Sequence, residues 1–406
     1  MGKAIKDIFG ALESREVTTK IGLSLFFFVL LYFLYQALTT NPMGIGEMDS
    51  LTYHIPIAKE FARGNFFPPD LPGGLGYYPA IGELMLAIQL ILKIPLGFYN
   101  IIGVIALFSI CHILAKRFGL KTELSIVFAV SICLLNSVIR LIPAQKNDIW
   151  LLVFFLTTLY LLYKPGKTIK YFLTLGMSIG LLVGVKYSGK LFALILLLVL
   201  GRKVLRDLNG KRLIAILIPI ALLGASWYIR NFFLTGNPFY PGNILGFIGH
   251  SDFYAISALS AIKSPGGPLL FIEALFSEYL LWALIPVVLL YVYVKDKKLL
   301  RKAAPIIVIG LLSTLLYLFL PSDFARQGMT SNLRFMQPAM TAFILSVFLI
   351  FKESNKELSI LAILGSAAVL TNLDYYPKLV SIWLILVALI MYWKGRGIFI
   401  VKGEKK

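Results

Sequence analysis

Charge is scarce in this chain, and negative charge is scarcest: of 406 residues only 20 are Asp or Glu, against 39 Lys or Arg. A soluble domain carries about a quarter of its residues as charges. With 15% charged and 58% hydrophobic residues, water is excluded as the main solvent. Only two cysteines occur, Cys111 and Cys133, both inside apolar runs, which excludes a disulfide framework and a cysteine metal motif. Of the three histidines, His54, His112 and His250, no two have metal-ligand spacing, so no metal is assigned. No Gly/Ser linker, low-complexity tract or fixed-period repeat is present, which argues against a solenoid or a tethered soluble domain. The net charge of +19 is scattered in short clusters between apolar runs, a pattern that suits anionic lipid and not nucleic acid.

What the sequence does have is length in apolar runs. They lie near 21–38, 98–115, 123–139, 148–163, 171–185, 188–201, 213–230, 269–294, 303–320, 337–351, 358–373 and 377–393. The first runs into Thr39-Thr40-Asn41-Pro42 instead of a small-residue cleavage site and reads as a signal anchor. A further run at 79–93 is short, carries Glu83 and Gln89, and fits a helix lying in the interface. Charge arbitrates. If 79–93 does not cross, 27 of the 39 Lys and Arg fall on the cytoplasmic side; if it crosses, only 14 do. The expectation is therefore an all-α polytopic membrane protein with about 12 spans, both termini cytoplasmic, and a large external loop at 39–97 carrying two juxtamembrane helices. A second external loop follows at about 231–268. Residues 1–245 read as one transmembrane module and 246–406 as an external loop with the C-terminal helices.

Within the first loop, Leu51, Ile55, Ala58 and Phe61 share one helical face opposite Thr52, Lys59 and Arg63. Such a helix either lies in the interface or packs under a lid. The external acids Glu47, Asp49 and Asp148 fall on one membrane face although Asp148 is remote in sequence. A carboxylate there serves as a general base or holds a divalent cation, and no motif specifies the cation. The plain alternative is helix capping by Asp49, Ser50 or Asp148. External cations Arg140, Lys146, Lys186, Lys190, Arg230, Arg326 and Arg334 suit a phosphate head group or simply snorkel. Lys186 stands out in the glycine-flanked break Gly184-Val-Lys-Tyr-Ser-Gly189.

Five segments in order carry a resemblance: Glu47-Met-Asp49-Ser-Leu-Thr-Tyr53-His54, Gly76-Tyr-Tyr78-Pro-Ala-Ile-Gly-Glu83, Lys146-Asn-Asp148, Gly184-Val-Lys186-Tyr, and Trp227-Tyr-Ile-Arg230-Asn with Gly236-Asn-Pro-Phe-Tyr-Pro241. Together with Asn332-Leu-Arg334-Phe-Met-Gln-Pro338 they resemble the GT-C superfamily of polytopic glycosyltransferases, closest to the protein mannosyltransferase and aminoarabinose-transferase-like branch. The resemblance implies an inverting transfer of sugar from a polyprenyl-phosphate donor to a hydroxyl of a glycan, lipid or protein on the extracytoplasmic face. It implies catalytic roles for Asp49, Glu47 and Asp148, phosphate contacts from Lys186, Arg230 and Arg334, and a sugar pocket including Tyr53, His54 and Tyr78. Many members place Glu directly after the first Asp. Here Ser50 follows Asp49 and Glu47 precedes it, leaving the division between Glu47 and Asp49 open. A secondary transporter or lipid flippase is the competing reading, and a non-catalytic scaffold the third.

Overall fold

The computed structural model describes residues 15–44, 46–251, 263, 267–295, 297–320 and 332–352. Among them every regular element is helical and none is a strand. The expected spans at 358–373 and 377–393, the basic tail and Arg326 lie outside the described residues.

Five stretches, Thr19–Leu38, Leu96–Arg117, Gly210–Thr235, Leu300–Phe319 and Leu333–Ile350, are long and apolar enough to cross a bilayer, and shorter apolar helices run between them. In chain order the helices are α1 (Arg15–Leu38), α2 (Ile55–Ala62), α3 (Ile81–Ile91), α4 (Tyr99–Arg117), α5 (Thr122–Cys133), α6 (Asp148–Tyr163), α7 (Ile169–Val185) and α8 (Tyr187–Leu200). They continue as α9 (Gly210–Ile220), α10 (Ser226–Thr235), α11 (Gly267–Tyr279), α12 (Ile285–Lys295), α13 (Lys297–Phe319) and α14 (Gln337–Ile350). α14 is buried along its whole length, whereas α9 turns Leu213, Ile214, Leu217 and Ile218 outward. For a membrane protein this separates a protein-packed centre from a lipid-facing rim.

Two expected spans differ in detail. The run at 269–294 is interrupted between α11 and α12 by a tight turn, Leu280–Leu284. Pro286, at the start of α12, has no N–H to return to the preceding turn, so a continuous helix is disfavoured there. The run at 123–139 ends as α5 at Cys133 and resumes as a single turn, Asn136–Ile139.

α7 and α9 approach closely along a glycine row. A Cβ on Gly176, Gly180 or Gly184 would lie 2.4, 2.7 or 2.1 Å from the backbone oxygens of Ile216, Pro219 and Leu223. Spacing by four residues puts the three on one face, so the helix backbones meet where larger side chains would hold them apart. α9 then passes through Pro219 and a wide π-turn, Ala221–Ala225, into α10.

Among the described residues of the first loop no helix is long and apolar enough to cross a bilayer. α2 and α3 pack on each other, and α3 also touches α7. Of the expected buried face, Ile55, Ala58 and Phe61 are buried, joined by Ile57, but Leu51 is 58% exposed. The reason is a π-turn, Ser50–His54, in which the Ile55 N–H reaches back five residues to the Ser50 carbonyl. The wider turn shifts the phase, so α-helical spacing misplaces everything before Ile55.

Candidate active site

The loop at 141–147 is held by two side chains, Asn100 and Ser50. Asn100, at the start of α4, donates from Nδ2 to the carbonyls of Leu141 (2.9 Å), Ala144 (2.7 Å) and Lys146 (3.1 Å). The Gln145 N–H donates to Ser50 Oγ at 3.0 Å, tying this loop to the π-turn. Arg334 arrives from the far end of the chain, in a tight turn before α14. Tyr279 donates to the Leu333 carbonyl at 2.8 Å, and Gln337 Nε2 donates to the Ser137 carbonyl at 2.8 Å. Arg140 and Glu278 add an ion pair at 2.8 Å that ties the Asn136–Ile139 region to α11.

These braces bring six charged side chains together. Lys146 Nζ pairs with Glu47 and lies 3.0 Å from Asp49 Oδ2. Arg334 Nη2 donates to the same Asp49 oxygen at 2.9 Å, while its Nε stands 3.6 Å from Asp148 Oδ2. Lys186 donates to Asp148 Oδ1 at 2.6 Å and sits 4.2 Å over the Phe335 ring. Three carboxylates therefore face three cations. The Asp148 and Lys146 side chains are 4% and 6% exposed, but those of Asp49, Glu47 and Lys186 keep 30%, 26% and 23%, so the cluster is partly open at these three.

Burial disfavours the charged Asp49 carboxylate, but Arg334 and Lys146 outweigh it and hold the carboxyl below its ordinary range. Burial pushes the phenols of Tyr53 and Tyr78 up, with the Asp49 charge adding to both, so they stay neutral donors at working pH. Neither acid caps a helix: Asp49 and Asn147 occupy the cap positions of the π-turn and α6, and neither side chain makes a capping bond. Among the described residues no group of three or more His, Cys, Asp and Glu is arranged to hold a metal ion.

A solved structure shares this architecture: ArnT from Cupriavidus metallidurans bound to undecaprenyl phosphate superposes with a TM-score of 0.56 at 12% identity, covering 95% of this chain and 71% of that one. The chain has an ArnT-like fold. A family model described as a domain of unknown function, DUF8201, matches residues 92–252, and no curated protein matches in sequence.

Within the ArnT-like frame, Glu47, Asp49, Asp148, Lys186 and Arg334 stand in one network. Tyr53 and Tyr78 lie beside it, their ring centroids 5.9 Å apart. Arg230 makes its contacts elsewhere: Nη2 donates to Asn231 Oδ1 at 3.1 Å and reaches the Gly76 carbonyl at 3.5 Å, with the guanidinium over the Trp227 ring. Two residues noted in the sequence were given no role of their own at the site. Lys146 neutralises both Glu47 and Asp49, and its neighbour Asp148 was the signal for it. Glu83 is buried and bonded to His54 Nδ1 at 2.5 Å; its signal was a carboxylate alone in an apolar run.

Proposed function

We propose that this protein is an integral membrane glycosyltransferase that moves a sugar from a polyprenyl-phosphate donor to an acceptor hydroxyl with inversion. The observation that carries the reading is the meeting of Asp49, Asp148, Lys186 and Arg334 at one end of an ArnT-like bundle. The ArnT structure was solved with undecaprenyl phosphate, which supports a polyprenyl-phosphate donor here. The distribution of Lys and Arg supports an extracytoplasmic site with cytoplasmic termini, facing a glycan, lipid or protein acceptor.

In this reading the ionised Asp49 orients the acceptor hydroxyl toward the anomeric carbon. As the glycosidic bond to phosphate breaks, negative charge grows on the departing oxygen. Arg334 and Lys186, each already in a sparsely hydrated setting, shift toward that charge and stabilise it. Asp148 holds Lys186 in place until the phosphate arrives. Tyr53 and Tyr78 offer neutral donors and ring faces to the sugar. Acids gathered at one end, and not along the mid-span, favour this reading over a transporter.

The test is transfer from a labelled polyprenyl-phosphate sugar in reconstituted vesicles. Wild type gives product, and Asp49→Asn reduces the rate by at least about 100-fold because it loses the charge that holds the hydroxyl. Equal product from both would remove Asp49 from the mechanism.

A further inference from the structure

The cluster that neutralises Asp49 also makes it a poor proton acceptor. One of its oxygens receives both Arg334 at 2.9 Å and Lys146 at 3.0 Å. Whatever stabilises a carboxylate as an anion weakens it as a base. A transfer to a hydroxyl still needs somewhere for the proton to go.

The π-turn supplies a second group on the same face. In an α-helix, five residues make about 1.4 turns and point residues i and i+5 apart. In the π-turn Ser50–His54 the backbone bond closes over five residues, a wider turn that brings positions five apart, such as 49 and 54, toward one side of the helix. His54 Nδ1 lies 2.5 Å from Glu83 Oε1, and both side chains are buried, at 4% and 2% exposure. Glu83 is itself fixed, since Asn147 Nδ2 donates to the same oxygen at 2.9 Å and Tyr99 donates to Asn147 Oδ1 at 2.8 Å. A Cβ on residue 82 would stand 2.1 Å from Asn147 Oδ1, so Gly82 is what lets Asn147 approach. A carboxylate bonded to Nδ1–H sets the tautomer and leaves the basic lone pair on Nε2.

We propose that His54, oriented by Glu83 as its positioning residue, accepts the proton of the acceptor hydroxyl while Asp49 stays ionised and orients that hydroxyl; this rests on the sugar-transfer reading above. The acceptor O–H bond breaks and its proton passes to Nε2. The oxygen forms its bond to the anomeric carbon, and the bond from that carbon to the phosphate oxygen breaks with the electron pair leaving on the phosphate. The resulting imidazolium is balanced by Glu83. The charged and titratable groups around His54 are Asp49 and Tyr53 on its own segment, Glu83 from α3, and Lys146 and Arg334, which reach it through Asp49.

Two measurements decide it. In protein carrying nitrogen-15 histidine, with the signal assigned by its loss in His54→Asn, neutral His54 is expected in the Nδ1–H form. In vesicles, His54→Gln is expected to lower kcat at least about 100-fold with the donor KM within about twofold. Free imidazole is expected to restore at least tenfold to His54→Ala, and nothing to Asp49→Asn. Glu83→Gln lowers kcat less than His54→Gln. A neutral His54 in the Nε2–H form, His54→Gln retaining more than a tenth of wild-type kcat, or no recovery of His54→Ala with imidazole overturns the proposal alone, with transfer intact. Absence of transfer by wild type overturns both readings.

Discussion

Asp49 and Asp148 hold similar ion pairs but differ in how each responds to being changed. Because the Asp49 carboxyl titrates below its ordinary value, its ion pairs stabilise the fold fully above about pH 4 and are lost as pH falls through the lower folded value. Thermal unfolding in detergent is expected to drop below about pH 4, and Asp49→Asn to flatten that drop. Asp148 is far less exposed and pairs at 2.6 Å with Lys186. Asp148→Ala strands that ammonium and is expected to cost about 3–5 kcal/mol in denaturant unfolding. Adding Lys186→Met is expected to recover part of the loss, since no buried charge is then left alone. At this scale the sequence marked residues that the structure gathers into one cluster and was silent about which of them pair. Asp49, Asp148, Lys186 and Arg334 were found from side-of-membrane bookkeeping and resemblance. Glu83 was noted without a role, because its partner His54 sits 29 positions away and only packing of α2 on α3 joins them.

Helix existence was legible from apolar length, but helix phase and continuity were not. The π-turn at Ser50–His54 follows from no propensity in Ser-Leu-Thr-Tyr-His and moves Leu51 off the face on which α-helical spacing places it. The break before α12 was readable in principle from Pro286, yet a hydropathy window averages over it. Glycines, unremarked as a row in the sequence, decide how α7 meets α9. Gly180→Leu is expected to push these helices apart and to lower the yield of monodisperse protein sharply, since the added Cβ alone would stand 2.7 Å from the Pro219 oxygen. Gly210→Ala is the control. Nothing lies within 4 Å of its Cβ position at the start of α9, so it is expected to be neutral or slightly stabilising by size-exclusion and thermal assays.

For the whole molecule, the count of Lys and Arg argues that 79–93 does not cross, and α3, which packs on α2, is shorter than a full crossing needs. The same reasoning predicts sidedness. Both native cysteines are buried, so single cysteines introduced at Asp70 and at Lys203 can be labelled selectively. Asp70→Cys is expected to react with an impermeant maleimide from outside intact cells and Lys203→Cys only after permeabilisation; the reverse pattern would invert the topology. The Arg334 to Asp49 bond spans 285 positions. A ribosome must therefore thread more than three quarters of this protein into the bilayer before the first acid meets its guanidinium. Nascent chains stopped at residue 320 would hold Glu47, Asp49 and Asp148 against Lys146 and Lys186 only, one positive charge short, and the charge cluster would be completed late in biosynthesis.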